Sequence, residues 1–161
     1  MGTSTTTATW KQEGRVALWR YEPMARMYAG WHFTADGAGC RSLQNLFSLF
    51  LSADAEAYRS VTLTDPKSVG ADRIFGEHVF RVCFPSKLRL RFDPRASEDH
   101  SAFDHADDRL DLSLGRTWIE ELGTALADVA HDHADFSLWF EAGKPKDPLK
   151  RISFWWWPKD Q

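Results

Sequence analysis

WHFTADGAGCRSL, residues Trp31 to Leu43, marks the point at which the chain changes from a strand pattern to a helix pattern. Before Asp36 the apolar side chains alternate with polar ones, which is typical of a strand with one buried face. After Gly39 apolar residues recur at helical spacing, at Leu43, Leu46, Phe47 and Phe50. The sequence therefore predicts a strand, a glycine-rich turn and a helix over residues 38–52.

The glycine-rich turn raises the question of a phosphate site, because backbone N–H groups at a helix N-terminus bind anions. The segment Asp36-Gly37-Ala38-Gly39 has too few glycines for the dinucleotide-binding pattern and lacks the Lys-Ser/Thr pair of a P-loop. The Asp36 carboxylate would also repel an anion. We therefore predict that Asp36 caps the helix by accepting N–H bonds from its first turn.

Further strands are predicted on both sides of this helix. Segments 15–22 and 26–34 are rich in β-forming residues and are expected to pair as an antiparallel hairpin. A strand is expected at 58–64. In segment 78–92 a turn at Pro85–Lys87 would place apolar residues opposite one another, and it predicts a second hairpin. The acidic segment 93–114 has no clean period and is predicted to be a loop.

The last third of the chain predicts one more helix and two strands. Thr117 and Glu120 have the spacing of a capping box, so a helix is expected to begin there. Strands are expected at 136–141 and near 151–157. The fold predicted from these elements is a single α+β domain over residues 1–161, with residues 1–12 as a mobile tail. It has an antiparallel sheet of about six or seven strands and two main helices packed on one face.

The composition is that of an ordinary globular protein. The chain has 161 residues, of which 43% are hydrophobic and 27% are charged, and its net charge is −3. The two cysteines have no metal-binding or redox spacing, and no apolar run reaches transmembrane length. A cytoplasmic protein without membrane contact is therefore expected. The basic excess before residue 93 and the acidic excess after it are attributed to a self-complementary fold.

One cluster of metal-ligating residue types is His131, His133 and Asp135. On an extended segment the three side chains point the same way, and three ligands with one open position are what a catalytic zinc ion requires. His100 or His105 is a further candidate ligand. On a helix, however, His131 and His133 are about 200° apart and cannot share an ion. A metal-dependent hydrolase is therefore an alternative function, with a divalent metal ion as its only cofactor.

Two groups of side chains are predicted to contact a partner. The first is a basic strand face with Arg81, Arg89 and Arg91, whose aromatic neighbours are expected on the opposite face, so nucleic acid is not expected to bind. The second is an aromatic patch, because the last strand is apolar on both faces. Its members are Trp155 and Trp157, joined by Trp19 or Trp139.

The leading functional hypothesis is a non-catalytic binding or interaction protein, of the inhibitor or immunity type. The expected partner is another protein or a second copy of the chain. Besides the metal-dependent hydrolase, the remaining alternative is a protein that binds a small apolar ligand among buried tryptophans.

Overall fold

The computed structural model describes residues 6–22, 29–70, 81–133, 135–141 and 147–158. Within these ranges the chain forms nine strands: β1 (Val16–Glu22), β2 (Trp31–Ala35), β3 (Ala57–Thr62), β4 (Arg81–Cys83), β5 (Lys87–Phe92), β6 (Ser101–Ala106), β7 (Arg109–Leu114), β8 (Phe136–Trp139) and β9 (Arg151–Phe154). The two α-helices are α1 (Gly37–Leu51) and α2 (Arg116–Ala130). Short 3₁₀ turns occupy Pro66–Val69 and Pro148–Lys150.

The described strands form two mixed sheets. The five-stranded sheet has the order β4-β1-β2-β9-β8, and the four-stranded sheet has the order β3-β5-β7-β6. The pairs β2–β9 and β5–β7 are parallel, and the other pairs are antiparallel. The α+β class is confirmed, but a single antiparallel sheet of six or seven strands is wrong. Parallel neighbours need long crossover connections, so they join strands far apart in the chain that local alternation cannot match.

Two local predictions of strand pairing have opposite outcomes. The β1–β2 hairpin is confirmed, with Leu18 opposite Phe33, although β2 begins only at Trp31 and residues 26–28 of its predicted segment lie outside the described part of the chain. The hairpin predicted in segment 78–92 is wrong, because β4 pairs with β1 whereas β5 lies between β3 and β7. Its residues 78–80 lie outside the described part of the chain. The two strands on either side of Pro85 therefore belong to different sheets.

The loop predicted for residues 93–114 is confirmed over residues 93–100 and wrong over residues 101–114. Residues 101–114 form the antiparallel hairpin of β6 and β7, which turns at Asp107 with a positive φ of 50°. An aspartate tolerates this left-handed conformation better than most residues do. The pattern was present in β7, where three buried leucines alternate with polar side chains.

One hydrophobic core joins the inner faces of both sheets to the buried stripes of both helices. Residues from both sheets and both helices meet around a central apolar cavity of about 20 Å³. Its lining includes Phe33 from β2, Phe47 from α1, Leu90 from β5 and Leu126 from α2. Such a cavity is roughly large enough for a single water molecule, and its apolar walls offer water no hydrogen bond.

The glycine-rich turn is a capped helix start, as predicted. Asp36 Oδ1 accepts hydrogen bonds from the N–H groups of Gly39, at 2.7 Å, and of Arg15, at 3.0 Å. A side chain on Gly39 would place its Cβ 2.5 Å from the Arg15 carbonyl oxygen. Glycine therefore allows the start of α1 to approach the start of β1, and the Asp36 carboxylate already occupies the N–H groups that an anion would need.

The second helix begins differently from the prediction. The N-cap of α2 is Gly115, which makes no side-chain capping bond, and the helix extends from Arg116 to Ala130. Thr117 lies inside the helix, and its N–H donates to the carbonyl of Glu98 at 2.9 Å. The capping box of Thr117 and Glu120 is therefore wrong, because the preceding loop supplies a backbone acceptor instead.

Residues 6–12, in the segment expected to be a mobile tail, pack against the body of the protein. Trp10 is buried, and its indole N–H donates to the Ser42 carbonyl at 2.9 Å. The Gln12 side chain bonds both the N–H and the carbonyl of Thr62, at 2.8 and 3.0 Å. The segment thereby covers the outer edge of β3.

Neither helix in the described residues is long and apolar enough to cross a membrane.

Candidate functional site

The predicted tryptophan patch is only partly open. Trp139 and Trp157 are half-buried. The guanidinium of Arg151 lies 5.4 Å from the centre of the Trp139 ring, and that of Arg15 lies 4.9 Å from the centre of the Trp157 ring. Trp155 is also half-buried, whereas its neighbour Trp156 is 39% exposed. The strand β9 ends at Phe154, so the strict alternation expected for the following tryptophans does not apply to them.

A buried aromatic cluster covers part of the outer face of the five-stranded sheet, and we call Trp19, Tyr21, His32 and Trp155 the His32 cluster. The imidazole of His32 is stacked against Trp19, with centroids 5.8 Å apart, and against Trp155, with centroids 6.1 Å apart. The Trp155 indole N–H donates to His32 Nδ1 at 3.0 Å. Because Nδ1 accepts this bond, the His32 ring is neutral and carries its proton on Nε2.

His32 was not among the residues predicted to form a site. It alternates with Trp31 and Phe33, and polar residues at alternate positions of a strand usually face solvent. In the structure His32 is only 1% exposed, and Thr34 on the same face is fully buried with its hydroxyl donating to the Trp155 carbonyl at 3.0 Å. The five-stranded sheet is therefore buried on both faces along β2.

The three residues of the predicted metal site lie after α2 in separate local roles. His131 caps the helix, and its Nδ1–H donates to the carbonyl of Ala127 at 2.7 Å. His133 and Asp135 are exposed, and Asp135 has a positive φ of 101°. Among the residues that the structure describes, no three His, Cys, Asp or Glu side chains lie close enough to hold a metal ion. The metal site stays a prediction without geometric support.

The two further candidate ligands belong to the four-stranded sheet. His100 Nε2 lies 3.0 Å from the Ser113 hydroxyl. His105 lies edge-on to Trp31, with ring centroids 5.2 Å apart. Desolvation, assisted by the nearby Arg20 cation, lowers the pKa of His105 below its ordinary value. Both histidines therefore have structural contacts of their own.

Neither cysteine is in a disulfide, and Cys40 has no nucleophilic character at neutral pH. Its thiol is buried, and this burial, together with the neighbouring Asp36 carboxylate, raises the pKa of Cys40 to about 12. A thiol with so high a pKa holds almost no thiolate at pH 7. Cys40 is thus a packing residue at the start of α1.

An apolar ligand would need an apolar cavity of a few hundred Å³. The core cavity of about 20 Å³ is too small for such a ligand. A groove of about 510 Å³ lies between residues 9–13 and α1, but hydroxyl, amide and charged groups form most of its walls. The apolar-ligand hypothesis therefore gains no support from either cavity.

The surface with the clearest binding character is the outer face of the four-stranded sheet, which we call the Tyr58 face. Its side chains alternate with the buried leucines of β5 and β7, and most of them are exposed. Across the four strands they are Tyr58, Ser60 and Thr62, then Lys87, Arg89 and Arg91, then Arg109, Asp111 and Ser113, and finally Ala102, Asp104 and Ala106.

Tyr58 is the most exposed large apolar side chain among the described residues, at 54%. The guanidinium of Arg89 lies 4.0 Å from the centre of its ring, and that of Arg91 lies 5.9 Å away. Two cations therefore lie within 6 Å of the centre of this exposed ring. Tyr58 was not among the predicted partner residues, because the hairpin predicted for segment 78–92 gave β5 the wrong neighbour and left β3 away from the arginines.

The Tyr58 face is basic although the chain as a whole is acidic. It carries four basic side chains and two carboxylates. Arg91 is paired with Glu56 at 3.3 Å, and Arg109 with Asp111 at 2.7 Å. Within the described residues, Lys87 and Arg89 have no carboxylate within 4.0 Å. Their charges are therefore available to an acidic partner.

The other predicted partner residue of this group, Arg81, lies elsewhere. It belongs to β4 at the edge of the five-stranded sheet, and its guanidinium is paired with Glu22. This pairing lowers the pKa of Glu22 and raises that of Arg81. The three arginines predicted to share one face are thus divided between two sheets.

Comparisons with known proteins leave the function to be argued from this geometry. No protein-family model matches the chain, and no curated protein or solved structure is significantly similar to it.

Proposed function

We propose that this chain is a non-catalytic binding protein whose Tyr58 face holds an acidic surface of a partner protein, as an inhibitor or immunity-type protein does. The observation that carries the proposal is the exposed Tyr58 ring, stacked under an Arg89 guanidinium that has no carboxylate partner in the described residues. Tyrosine and arginine are the residue types, with tryptophan, that most often dominate binding energy at protein interfaces.

The stack also reduces the entropic cost of binding. The Arg89 guanidinium already lies over the Tyr58 ring, 4.0 Å from its centre, so less side-chain freedom is lost when a partner covers both groups. The β5 backbone that carries Arg89 is paired on both sides, with β3 and β7. A rigid, flat and basic surface of this kind is suited to the acidic surface of a folded partner.

A protein partner is favoured over single-stranded nucleic acid. Nucleic-acid platforms stack successive bases on several aromatic rings in a basic groove. The Tyr58 face has one aromatic ring, and its carboxylates at Asp104 and Asp111 would repel phosphates. The aromatic and basic residues do share a face, contrary to the expectation from sequence, so nucleic acid is included in the test.

Fluorescence anisotropy with two labelled probes tests the proposal. One probe is a 20-residue poly-glutamate peptide, and the other is a 20-nucleotide oligothymidylate. We expect the peptide to bind at low salt and to dissociate as salt screens the charges. Arg89→Glu and Tyr58→Ala should each weaken peptide binding by about tenfold, because each removes a contact of hot-spot type.

Arg95→Glu is the matched control, because Arg95 is an exposed arginine in the loop before β6 and is paired with Asp93. It should leave peptide binding within about twofold of the wild type, since an exposed charge away from the interface contributes little. Equal losses in Arg95→Glu and Arg89→Glu would reduce the binding to net charge and contradict the proposal. Tighter binding of the oligothymidylate would replace the protein partner by a nucleic acid.

A second copy of the chain is the other partner that the sequence suggested. Sedimentation velocity of the wild type and of Arg89→Glu over a hundredfold concentration range distinguishes a second copy of the chain from a different protein as the partner. A dimer that dissociates in Arg89→Glu would identify the Tyr58 face as a contact between copies, whereas a monomer in both leaves the face free for a different protein.

A further inference from the structure

The two edges of the four-stranded sheet differ in how far other parts of the chain cover them. At the β3 edge, Gln12 bonds the backbone of Thr62, and the Arg59 guanidinium donates to the carbonyls of Thr7, Ala8 and Trp10. At the β6 edge, no strand of the described residues pairs with the side that faces away from β7. Proteins usually protect such edges, because unpaired backbone groups attract another strand.

The hydrogen-bond pattern of β6 identifies its free backbone groups. The Gly115 N–H donates to the His100 carbonyl at 2.7 Å, and these two residues are opposite one another in the register of β6 and β7. Bonded and non-bonded pairs alternate in an antiparallel ladder, so Ala102, Asp104 and Ala106 bond to β7. The N–H and carbonyl groups of Phe103 and His105 therefore point away from the sheet.

The open stretch extends from Phe103 to the turn. The Ser101 hydroxyl donates to the carbonyl of Phe140, so the beginning of β6 is covered. Phe103 is half-buried, and the residues that follow it in the strand are exposed. The edge from Phe103 to Ala106 is thus available, with three exposed residues and two outward N–H groups.

The side chains of β6 indicate what kind of strand fits. Asp104 is an exposed carboxylate that lies between Ala102 and Ala106 on the outer face of β6. No basic group lies within 4.0 Å of it in the described residues. Its cross-strand neighbour is Asp111, which is already paired with Arg109. A like charge opposite another is unfavourable, and a cation beside Asp104 would relieve it.

A second copy of the chain is a poor occupant of this edge. Antiparallel pairing of two β6 strands would bring together two edges that each carry Asp104, with Asp107 and Asp108 in the adjoining turn. Like charges across a strand pair are destabilising. The opposite arrangement, an acidic edge against a basic strand, is attractive.

We propose that the free edge of β6 receives an extended basic segment of a partner protein by strand addition. The segment's backbone bonds to Phe103 and His105, and a lysine or arginine on its outer face lies beside Asp104. Its other face carries apolar side chains, because Phe103 and His105 present aromatic rings there against Phe140 and Trp31. Backbone bonds supply affinity, and the alternating side chains supply specificity. This site adjoins the Tyr58 face at Asp104, but its backbone bonds form at the β6 edge, opposite the β3 strand that carries Tyr58, and do not depend on the function of that face.

The probe is the peptide Ac-Val-Lys-Val-Arg-Val-Lys-Val-amide, titrated into ¹⁵N-labelled protein and followed by NMR. We expect saturable shifts confined to β6 and slowed exchange of the Phe103 and His105 amides. The Asp104 amide should already be protected in the free protein, since it bonds to β7. A peptide that is N-methylated at its valines keeps the charges but loses the N–H donors, and it should bind at least tenfold more weakly.

Charge exchange is the second arm of the experiment. Asp104→Lys should weaken binding of the basic peptide at least tenfold. The variant should instead bind the corresponding glutamate peptide, Ac-Val-Glu-Val-Glu-Val-Glu-Val-amide. Asp54→Lys, at an exposed position after α1, is the matched control and should behave as the wild type. Arg89→Glu should leave basic-peptide binding intact, so a failure of the Tyr58 face does not affect this result.

Three outcomes would overturn the proposal. The first is the absence of shifts in β6 at 1 mM peptide, a concentration chosen to detect binding with a Kd on the order of 1 mM. The second is equal affinity of the N-methylated peptide, which would reduce the interaction to charge attraction. The third is an equal effect of Asp54→Lys and Asp104→Lys, which would remove the assignment to the β6 edge.

Discussion

The outer faces of the two sheets differ although their inner faces share one core. The outer face of the five-stranded sheet is buried along β2, where His32 and Thr34 are 1% and 0% exposed. The outer face of the four-stranded sheet is open, and Tyr58 on its edge strand β3 is 54% exposed. The covered face is therefore suited to stability and the open face to binding. Sheets with one solvated face show regular alternation, whereas strands buried on both faces do not.

Two threonines give the strongest test of this difference. Thr34→Asp would place a carboxylate on the covered face, where it loses its hydration, whereas Thr62→Asp would place one on the open face opposite Lys87. We expect Thr34→Asp to lower the free energy of unfolding by about 5 kcal/mol or to prevent folding, because an unpaired buried charge is very costly. Thr62→Asp should change it by less than about 0.5 kcal/mol. Urea denaturation measures both, and similar losses would show that the two faces are not distinct.

Aromatic truncation should give the next largest difference. Trp19 is fully buried against His32, and its replacement by alanine should cost about 4 kcal/mol, since the loss of a large core side chain leaves a cavity. Tyr58→Ala removes a ring that is mostly in solvent and should cost less than about 1 kcal/mol. The same variants should rank in the reverse order for binding of the acidic probe, provided that Trp19→Ala is assayed where it is folded. A Trp19→Ala variant as stable as the wild type would show that the His32 cluster does not stabilise the fold.

The smallest expected effect concerns the core that both sheets share. The pKa of Cys40 is raised from 9.0 to about 12 in the folded protein, because burial disfavours its thiolate. Between pH 9 and 12 the unfolded chain therefore loses this proton while the folded chain keeps it, and stability falls as pH rises. We expect the stability advantage of the wild type over Cys40→Ala to shrink across this window in urea titrations. A constant difference from pH 8 to 11 would contradict the burial of the thiol.

The predictions that succeeded depend on residues close together in sequence. The helix α1 and its cap at Asp36 follow from a periodic stripe and from one carboxylate three residues from the N–H it accepts. The β1–β2 hairpin joins adjacent segments, so alternation within each strand was enough to define it. The hairpin of β6 and β7 was missed although it is local, because acidic residues hid the alternation of Leu110, Leu112 and Leu114.

The candidate site was harder to predict than the elements that carry it. Arg89 and Arg91 were correctly placed on one face of a strand, but Arg81 was assigned to the same surface and lies in the other sheet. Tyr58 joins the arginines only because β3 pairs with β5, more than 20 residues later in the chain. His32 gave no sequence signal of burial, since a histidine at an alternating position is also typical of an exposed strand face.

The sequence by itself therefore determined the α+β class, the helix α1 with its capped start, and which side chains share a face within β5. These features arise from short-range periodicity and from hydrogen bonds between near neighbours. Only the tertiary structure decided that the nine strands of the described residues form two sheets, that one outer face is buried and the other open, and that no described strand pairs with the outer edge of β6. Alternation defines the two faces of a strand, but its neighbours and the cover on each face depend on contacts between distant residues.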